Sequence, residues 1–563
     1  MKKVWAALIV VGISQSCVAH LNGSIFNQIE PYILCWLYHL KQAGEQVSKA
    51  IDCKDAFDLH SDDFFDDIMK DWVLVRSFYG WCGGLASLLA QPLVDRLGKY
   101  KIMFVASGLN ILSCIVHIIL PYIESIDDVG SSTSSSYSSY KLALAMYSIA
   151  QILAGIQLGL ATVAAVTYAI EIAPLEKRGI FGATYMIFGC LGLFSTFLSG
   201  TSFFFGTEDL WQLNWVLPLL FSSLIFLSFL VPESPIFYFK KQDNGNVYKM
   251  MQELYGSEWR EVKLDFSSAK LELKLEQNDR STSRGTSSEE KGAKAKPTKD
   301  HSIFSHYKAI WKNEALRSSM YMSAILLCLN YTSGSVLLSS LYTSLILSKL
   351  DVGRNTIQYV TLAVGGGVRL IFNVLGGWAM EKCGRKKLMV PGFGLMAVCM
   401  FAFTYVAKRA GLSDDNASSD DDDDDEEKLE SSIKVAIFIL IFFVTIINDL
   451  AITSPAWTFP SEIMPIEYKS SAQAIGAFAA WSSVGINNLW FPLAIKDIGE
   501  YTFIIFGIIN LCAGVYVWVF IPECKNKESI DLQQRVSLGI QRRRSSIQSI
   551  SRKMSISRVS VVE

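Results

Sequence analysis

The sequence predicts an all-α membrane protein with twelve transmembrane helices, arranged as two pseudo-symmetric halves of six. The first observation is composition: 51% of the 563 residues are hydrophobic and 18% are charged, which is too apolar for an ordinary soluble protein of this length. The second is that apolar runs of about 20 residues, enough to cross about 30 Å of hydrocarbon, occur in two groups of six. The third is that loop motifs of one group recur in the other.

Six predicted spans precede a long polar gap and six follow it. The first six lie near residues 5–27, 73–94, 101–122, 141–169, 179–204 and 212–231. The second six lie near residues 317–348, 355–380, 388–408, 433–458, 470–495 and 500–521. These runs predict an N-terminal half (1–239), a cytoplasmic segment with short helices and a disordered loop (240–316), a C-terminal half (317–525) and a disordered cytoplasmic tail (526–563).

The first span has an alternative interpretation. The opening "MKKVWAALIVVGISQSCVA" also resembles a cleavable signal peptide, with a basic start, an apolar centre and small residues at a possible cleavage site. Its removal would leave five spans before the gap against six after it, and would place the two termini on opposite sides. We therefore interpret it as span one.

Lysine and arginine predict the orientation, because cytoplasmic loops carry more of both. The segments "DRLGKYK", "EKR", 240–316, "EKCGRKK" and "QRRRSS" fall on one side, which we expect to be cytoplasmic and to hold both termini. The opposite connections are acidic, such as "DAFDLHSDDFFDD" and "SDDNASSDDDDDDEE". Within the second of these, Asn416 begins an NAS sequon and is a predicted glycan acceptor. The plasma membrane is the expected location.

Several functions have no support in the sequence. The eleven cysteines are scattered without a metal-type CxxC pair, and no nucleotide-binding loop or nucleophile motif occurs. We therefore expect no enzyme activity, no metal, no cofactor and no nucleic-acid partner. Cys35 and Cys53 flank the first loop and are candidates for a disulfide. In the tail "RRRSSIQSISRKMSISRVS", serines beside arginines suit a kinase, while the same charges suit contact with anionic membrane lipid.

Three pairs of loop motifs repeat at an offset of six spans. "VDRLGKYK" follows span two and "MEKCGRKK" follows span eight. "EIAPLEKRG" follows span four and "SEIMPIEYKSS" follows span ten, while "VPESP" and "IPECK" close the halves. Three pairs in register with the spans predict an internal duplication.

The charged residues of these loops predict a cytoplasmic gate. Acidic and basic side chains at one level on neighbouring helices can form ion pairs, and we expect such pairs to hold the two halves together on that side. The candidate gate residues are Asp95, Arg96, Glu171, Arg178, Glu233, Glu381, Arg385, Glu462, Lys469 and Glu523.

The loop motifs, together with "PAWTFPSEIMP" at 455–465 and "AAWSSVGINNLWFPLAIKDIGEYTFIIFG", resemble the sugar porter family of the major facilitator superfamily, which includes the facilitative glucose transporters. The resemblance covers nearly the whole chain outside loops and tail. It implies the major facilitator fold and the movement of a small polar solute, a sugar or related polyol, by alternating access. An organic anion carrier and a non-transporting nutrient sensor are the alternatives.

The resemblance also implies a set of substrate-binding positions, several of which depart from the family pattern. The span ten tryptophan and the span eleven aromatic are present, and an aspartate and an arginine replace the usual glutamate and asparagine. The glutamines of spans five and seven are replaced, while Val336 and Ala480 stand where asparagines are expected. The candidate substrate-binding residues are Asn330, Tyr331, Arg369, Asp449, Trp457, Trp481 and Met186.

Arg369 is an arginine within an apolar run, "GGGVRLIFNVLGG", and a guanidinium cannot lose its charge. An unpaired one at mid-membrane costs at least about 3 kcal/mol. At about 1.5 Å per residue, Arg369 and Asp449 lie at similar depths. An ion pair with Asp449, capture of an anionic substrate and exposure to a water-filled cavity are the three interpretations.

Proton coupling is not expected by the route that the resemblance implies. Span one has no acidic residue in "SCVAHLNGSIF", where proton-coupled members carry an aspartate, and Gln151 stands in place of the span four arginine of the family. Uniport is therefore favoured. His20 is a possible titrating group, although a single histidine in a helix is more often packed or hydrated.

Overall fold

The computed structural model describes residues 2–45, 63–122, 135–174, 178–227, 231–241, 243–257, 305–338, 353–409, 424–465, 468–525 and 531–539, with single positions 343, 347 and 527. Helices account for the regular structure of this part of the chain, in which no strand occurs. Asn416, Cys53, most of the acidic outer loops and the Arg- and Ser-rich tail lie outside the described residues.

Helices occupy all twelve predicted span positions. Among the described residues, nine helices are long and apolar enough to cross a membrane: Lys3–Ser24, Asp67–Leu97, Lys99–Tyr122, Ser139–Glu171, Phe181–Ser199, Thr356–Cys383, Arg385–Arg409, Ser432–Ile463 and Gly499–Phe520. The remaining positions hold Trp211–Phe226 as span six, Glu314–Thr332 as span seven and Lys469–Ile498 as span eleven. The all-α membrane fold is confirmed.

Span one packs inside the N-terminal half. Val4 and Ala7 are fully buried, and the ring of Trp5 lies 5.1 Å from that of Phe181 in span five. After Ile25 the chain continues as the helix Phe26–Glu45. Span one is therefore a structural member of this half.

The helix Phe26–Glu45 is attached to span two by a buried ion pair. Glu30 Oε1 accepts a hydrogen bond from Arg76 Nη1 and another from Trp72 Nε1, each at 2.8 Å. In the same helix Cys35 is disulfide-bonded. Its partner lies outside the described residues, as does the predicted partner Cys53.

Short helices lie next to the ends of the spans on the side that is predicted to be cytoplasmic. Within the predicted cytoplasmic segment and just before it they are Pro235–Lys240, Asn244–Tyr255 and Ser305–Lys312. A further helix at residues 531–539 corrects the prediction of a wholly disordered tail. Leu532 and Val536 are four residues apart, so they share one helix face, and both are buried. Gln533 Nε2 donates to the Ile463 carbonyl at 2.8 Å, which fixes this helix to the C-terminal half.

The two halves touch along spans two and eleven. A Cβ added to Gly80 would lie 2.5 Å from the backbone nitrogen of Gly485, so the two helices approach too closely for a side chain at this point. About two turns further along span two, Ser87 Oγ donates to the Ala474 carbonyl at 3.1 Å.

The turns after spans two and eight have the same geometry. Gly98 has φ 93° and ψ 163°, and Gly384 has φ 95° and ψ 160°. Glu233 accepts from the backbone N–H groups that open span three, at 3.1 Å each. Glu523 accepts from those that open span nine, at 3.0 and 3.1 Å. This repeat agrees with the predicted internal duplication.

Candidate functional site

The structure pairs Arg369 with Asp449 at the centre of the C-terminal half. Arg369 Nε lies 3.0 Å from Asp449 Oδ2, and the two side chains are only 6% and 1% exposed. Asn448 Nδ2 also donates to Asp449, at 3.4 Å. Of the three interpretations of Arg369, the structure therefore shows the ion pair.

Both partners lie beside irregular helix turns. Span eight contains the π-helical segment Leu362–Val368, which ends one residue before Arg369. Span ten contains the π-helical segment Asn448–Thr453, whose second residue is Asp449. A π-bulge inserts an extra residue into a helix and changes the direction of the side chains that follow. The two bulges therefore orient the guanidinium and the carboxylate towards each other.

Five rings, which we call the central cluster, lie between the halves: His20, Tyr185, Tyr331, Trp457 and Trp481. The rings of Trp457 and Trp481 are 5.7 Å apart, and Tyr331 lies 6.2 Å from Trp457 and 5.4 Å from Trp481. Tyr185 lies 5.6 Å from both Trp457 and His20. His20 and Tyr185 belong to the N-terminal half and the other three to the C-terminal half.

A hydrogen-bond chain links the central cluster across the halves. Trp481 Nε1 donates to Thr162 Oγ1 at 3.1 Å, and Thr162 Oγ1 is 2.8 Å from the Tyr185 hydroxyl. Thr162 and Tyr185 were not predicted, because both stand in apolar runs without a distinguishing pattern.

The surroundings of two predicted binding residues, Met186 and Asn330, could not be predicted from the sequence. Met186 is buried in the hydrophobic core, and its neighbour Tyr185 is the residue that contacts Trp457. Successive residues of a helix point about 100° apart, so the two side chains face different surroundings. Asn330 is 1% exposed, and its Oδ1 has no hydrogen-bond partner among the described residues.

Two ion pairs that involve predicted gate residues form within the halves and not between them, on the side predicted to be cytoplasmic. Lys99 Nζ lies 2.7 Å from Glu171 Oε2, both in the N-terminal half. Arg385 Nη2 lies 2.6 Å from Glu462 Oε1, both in the C-terminal half. The reason is proximity: each basic residue opens a span whose neighbour in the same half ends with the glutamate.

The other predicted gate residues have different surroundings. Glu233 and Glu523 bind backbone N–H groups, as described above, and burial raises the pKa of the Glu233 carboxyl while Lys99 and the backbone donors oppose that rise. The Arg96 carbonyl accepts from Lys241 Nζ at 3.2 Å. Glu381 is half-buried and Lys469 is buried. Arg178 opens the helix of span five, and its side chain lies outside the described part of the chain.

Asp95 takes part in a contact between the halves that the sequence did not predict. His306, in the helix Ser305–Lys312, has Nδ1 3.3 Å from Asp95 Oδ2, and its ring lies 5.8 Å from that of Tyr468. The next residue, Tyr307, donates its hydroxyl to the Leu88 carbonyl at 3.0 Å. This helix leads directly into span seven, so it connects the C-terminal half to span two.

These features define a helical membrane protein of two repeated halves, with a polar and aromatic cluster between them. The sequence model of the sugar (and other) transporter family matches residues 54–535. The chain therefore belongs to this family of the major facilitator superfamily. It is an integral multi-pass membrane protein of a transporter family and is not an enzyme.

Individual relatives agree with this assignment. The chain is 26% identical to an arabinose-proton symporter of Bacillus subtilis (strain 168) over 462 residues, covering 80% of this chain and 84% of the relative. It is 23% identical to the mouse solute carrier family 2, facilitated glucose transporter member 9, over 487 residues that cover 83% and 76% of the two chains. The solved structure of the proton:xylose symporter XylE bound to 6-bromo-6-deoxy-D-glucose has the same fold, with a TM-score of 0.66 and 17% identity over 95% of this chain and 99% of that one.

Proposed function

We propose that the protein is a uniporter for a small neutral polar solute, a sugar or polyol, which it moves by alternating access. The observation that carries the proposal is the central cluster, because both halves contribute rings to it. When the halves rock against each other, such a site opens first to one side and then to the other. Tryptophan and tyrosine rings suit the apolar face of a sugar, and their polar atoms suit its hydroxyls.

The charge of the site favours a neutral solute. Arg369 is neutralised by Asp449 at 3.0 Å, so an anionic substrate would compete with a buried carboxylate for the same guanidinium. Relatives described as glucose transporters and as an arabinose-proton symporter point to sugars as the substrate class. Gln151, an uncharged side chain, also supports uniport. Its Nε2 lies 3.2 Å from His117 Nε2, so the group that it contacts is an imidazole and not a carboxylic acid that could carry a coupling proton.

Uptake into proteoliposomes tests the proposal. The full chain is reconstituted, and uptake of labelled D-glucose, D-xylose, myo-inositol and benzoate is measured with and without an inwardly directed proton gradient. We expect saturable uptake of at least one neutral solute to its equilibrium level, unchanged when a protonophore is added. Accumulation that requires the gradient would show symport, and uptake of benzoate alone would show an anion carrier. Stabilisation by a ligand without any flux would show a sensor.

We also propose that the contact of His306 with Asp95 stabilises closure on the cytoplasmic side. Replacing His306 by Ala removes a contact between the halves, so the population open to that side should increase by about twofold or more. Distances between spin labels at Lys101 and Lys387, two exposed positions near the cytoplasmic ends of spans three and nine, report this population when the exposed Cys383 and Cys512 are replaced by Ser.

The matched control is His39→Ala, which removes an exposed histidine from the outer helix Phe26–Glu45. It should leave the distance distribution unchanged. An unchanged distribution in His306→Ala as well would refute the closing role of this contact.

The orientation, the location and the modifications of the chain are further proposals. Lysine and arginine in the loops of one side support cytoplasmic termini, and the plasma membrane is the proposed location. Asn416 is the proposed glycan acceptor. The Arg- and Ser-rich tail beyond residue 540 is proposed to meet a kinase or anionic lipid.

A further inference from the structure

We infer that His20 binds the transported solute: its neutral imidazole accepts, through Nε2, a hydrogen bond from a hydroxyl group of the solute. The inference rests on the proposed function and assigns one residue of the site its role and chemistry. Four observations carry it, which concern the tautomer of the ring, the surroundings of Nε2, the support of the ring and the neighbouring groups.

The tautomer is set by the backbone of span one. His20 Nδ1 lies 3.0 Å from the Ser16 carbonyl oxygen. A carbonyl only accepts hydrogen bonds, so Nδ1 carries the hydrogen and donates it. In a neutral imidazole the other nitrogen then has a lone pair and is an acceptor. Nε2 is therefore ready to accept a hydrogen bond.

The acceptor has no partner among the described residues. The Nε2 atom is buried and forms no hydrogen bond in the described part of the chain. Buried polar atoms of native proteins are nearly always paired, and each exception requires an explanation. The ring lies within the central cluster, 5.6 Å from Tyr185 and 5.9 Å from Trp481. A ligand in this cluster would supply the missing donor.

The surrounding helices hold the ring in place. In span five, Gly189 leaves room for it, because a Cβ there would lie 2.7 Å from His20 Nδ1. The Ser16 hydroxyl donates to the Tyr185 carbonyl, and the Tyr79 hydroxyl donates to the Ala19 carbonyl. Spans two and five thereby fix the backbone that leads into His20. A fixed acceptor binds a ligand at less entropic cost than a mobile one.

The neighbouring groups favour the neutral ring. Nδ1 donates to the uncharged Ser16 carbonyl and the carboxylate of Asp449 is paired with Arg369, so an imidazolium at this position would lose its hydration without gaining a carboxylate from either contact. The unprotonated ring has an acceptor at Nε2, which matches the hydroxyl of a sugar or polyol. A carboxylate has no hydrogen to donate, so this residue selects against anions independently of Arg369.

Two kinds of variant separate the two ring nitrogens. His20→Asn keeps a donor near the position of Nδ1 and removes the acceptor at Nε2, and His20→Leu removes both. His20→Gln places an amide oxygen near the position of Nε2. We expect the KM for the transported sugar to increase about tenfold in His20→Asn and His20→Leu with little change in kcat. The KM of His20→Gln should stay within about threefold of the wild type.

A cycle with deoxy analogues of the transported sugar completes the test. The wild type should bind one deoxy analogue about tenfold more weakly than the parent sugar. His20→Asn should bind that analogue and the parent sugar equally well, because the two changes remove the same hydrogen bond. His20→Leu closes the same cycle if His20→Asn does not fold, and the thermal unfolding midpoint shows whether each variant is folded.

Three results would overturn the inference. The first is an unchanged KM in folded His20→Asn and His20→Leu, with sugar uptake intact, and this result leaves the proposed function standing. The second is that every deoxy analogue loses as much affinity, relative to the parent sugar, in the variant as in the wild type. The third is a change in the pH dependence of uptake without a change in KM, which would make His20 a proton carrier. If the wild type carries only benzoate, the inference fails together with the proposed function.

Discussion

Replacing Asp449 by Asn is expected to lower the free energy of unfolding by about 3–5 kcal/mol, enough to deplete the folded protein. The substitution leaves Arg369, which is 5% exposed, with its charge and without its carboxylate. A guanidinium cannot become neutral by losing a proton, and the side chain is buried. The measurement is the unfolding midpoint of purified protein in detergent, together with the yield of monodisperse protein.

The partner substitution should cost less, and the double substitution least. In Arg369→Gln the remaining carboxyl group can take up a proton and become neutral, a response that is not open to the guanidinium. In the double variant Arg369→Gln/Asp449→Asn, two neutral amides replace the pair. Because each single change removes the same interaction, we expect a coupling energy above about 2 kcal/mol in the double-mutant cycle.

A matched control comes from the protein surface. Asp67 lies 3.4 Å from Lys70, and the two side chains are 64% and 65% exposed. Exposed ion pairs contribute little because water screens them, so Lys70→Gln, which leaves in place the second contact of Asp67, at 4.0 Å to Lys41, should leave the midpoint unchanged. Two results would contradict the role of the buried pair. One is that the losses of stability from Asp449→Asn and Arg369→Gln add up in the double variant, and the other is that Asp449→Asn lowers the midpoint no more than the control does.

Depth and register were predictable from the sequence. The spans follow from the length of apolar runs, which the thickness of a bilayer fixes directly. The proximity of Arg369 and Asp449 followed from counting the rise per residue from two loops assigned to the same side. The shared geometry of the turns at Gly98 and Gly384 followed from repeated motifs. In each of these cases a one-dimensional pattern determines the position along the membrane normal.

Contacts in the plane of the membrane were not predictable in the same way. The sequence placed Lys99 and Glu171 at one level and in one half but did not show that they pair with each other. The contact of His306 with span two depends on how the helix Ser305–Lys312 packs against the ends of the spans, and no periodic pattern indicates that. Thr162 and Tyr185 were missed because a bundle helix in a membrane is apolar on every side, which hides the face directed to the centre.

Gly98→Ala and Gly384→Ala are each expected to lower the free energy of unfolding by about 3 kcal/mol or more and to reduce transport sharply. Their φ angles of 93° and 95° with ψ near 160° belong to a region that is open almost only to glycine, and an alanine there costs about 1–3 kcal/mol. A Cβ would also lie 2.2 Å from Glu233 Oε2 in the first turn and 2.8 Å from Glu523 Oε2 in the second. The carboxylate would then move away from its backbone N–H donors, and each such bond contributes about 1.5–3 kcal/mol.

The same helices offer controls ten residues further along. Gly108 and Gly394 lie inside spans three and nine, where an added Cβ would meet nothing within 4 Å. Alanine is favoured over glycine inside a helix by about 1 kcal/mol, so Gly108→Ala and Gly394→Ala should keep or slightly raise the unfolding midpoint and leave uptake unchanged. If Gly384→Ala left the midpoint and uptake unchanged, as Gly394→Ala should, while Gly98→Ala lowered both, the two turns would have the same geometry without the same importance for stability and transport. Equal losses at Gly98 and Gly384 are the result expected if both halves depend on a carboxylate bound at the start of a helix.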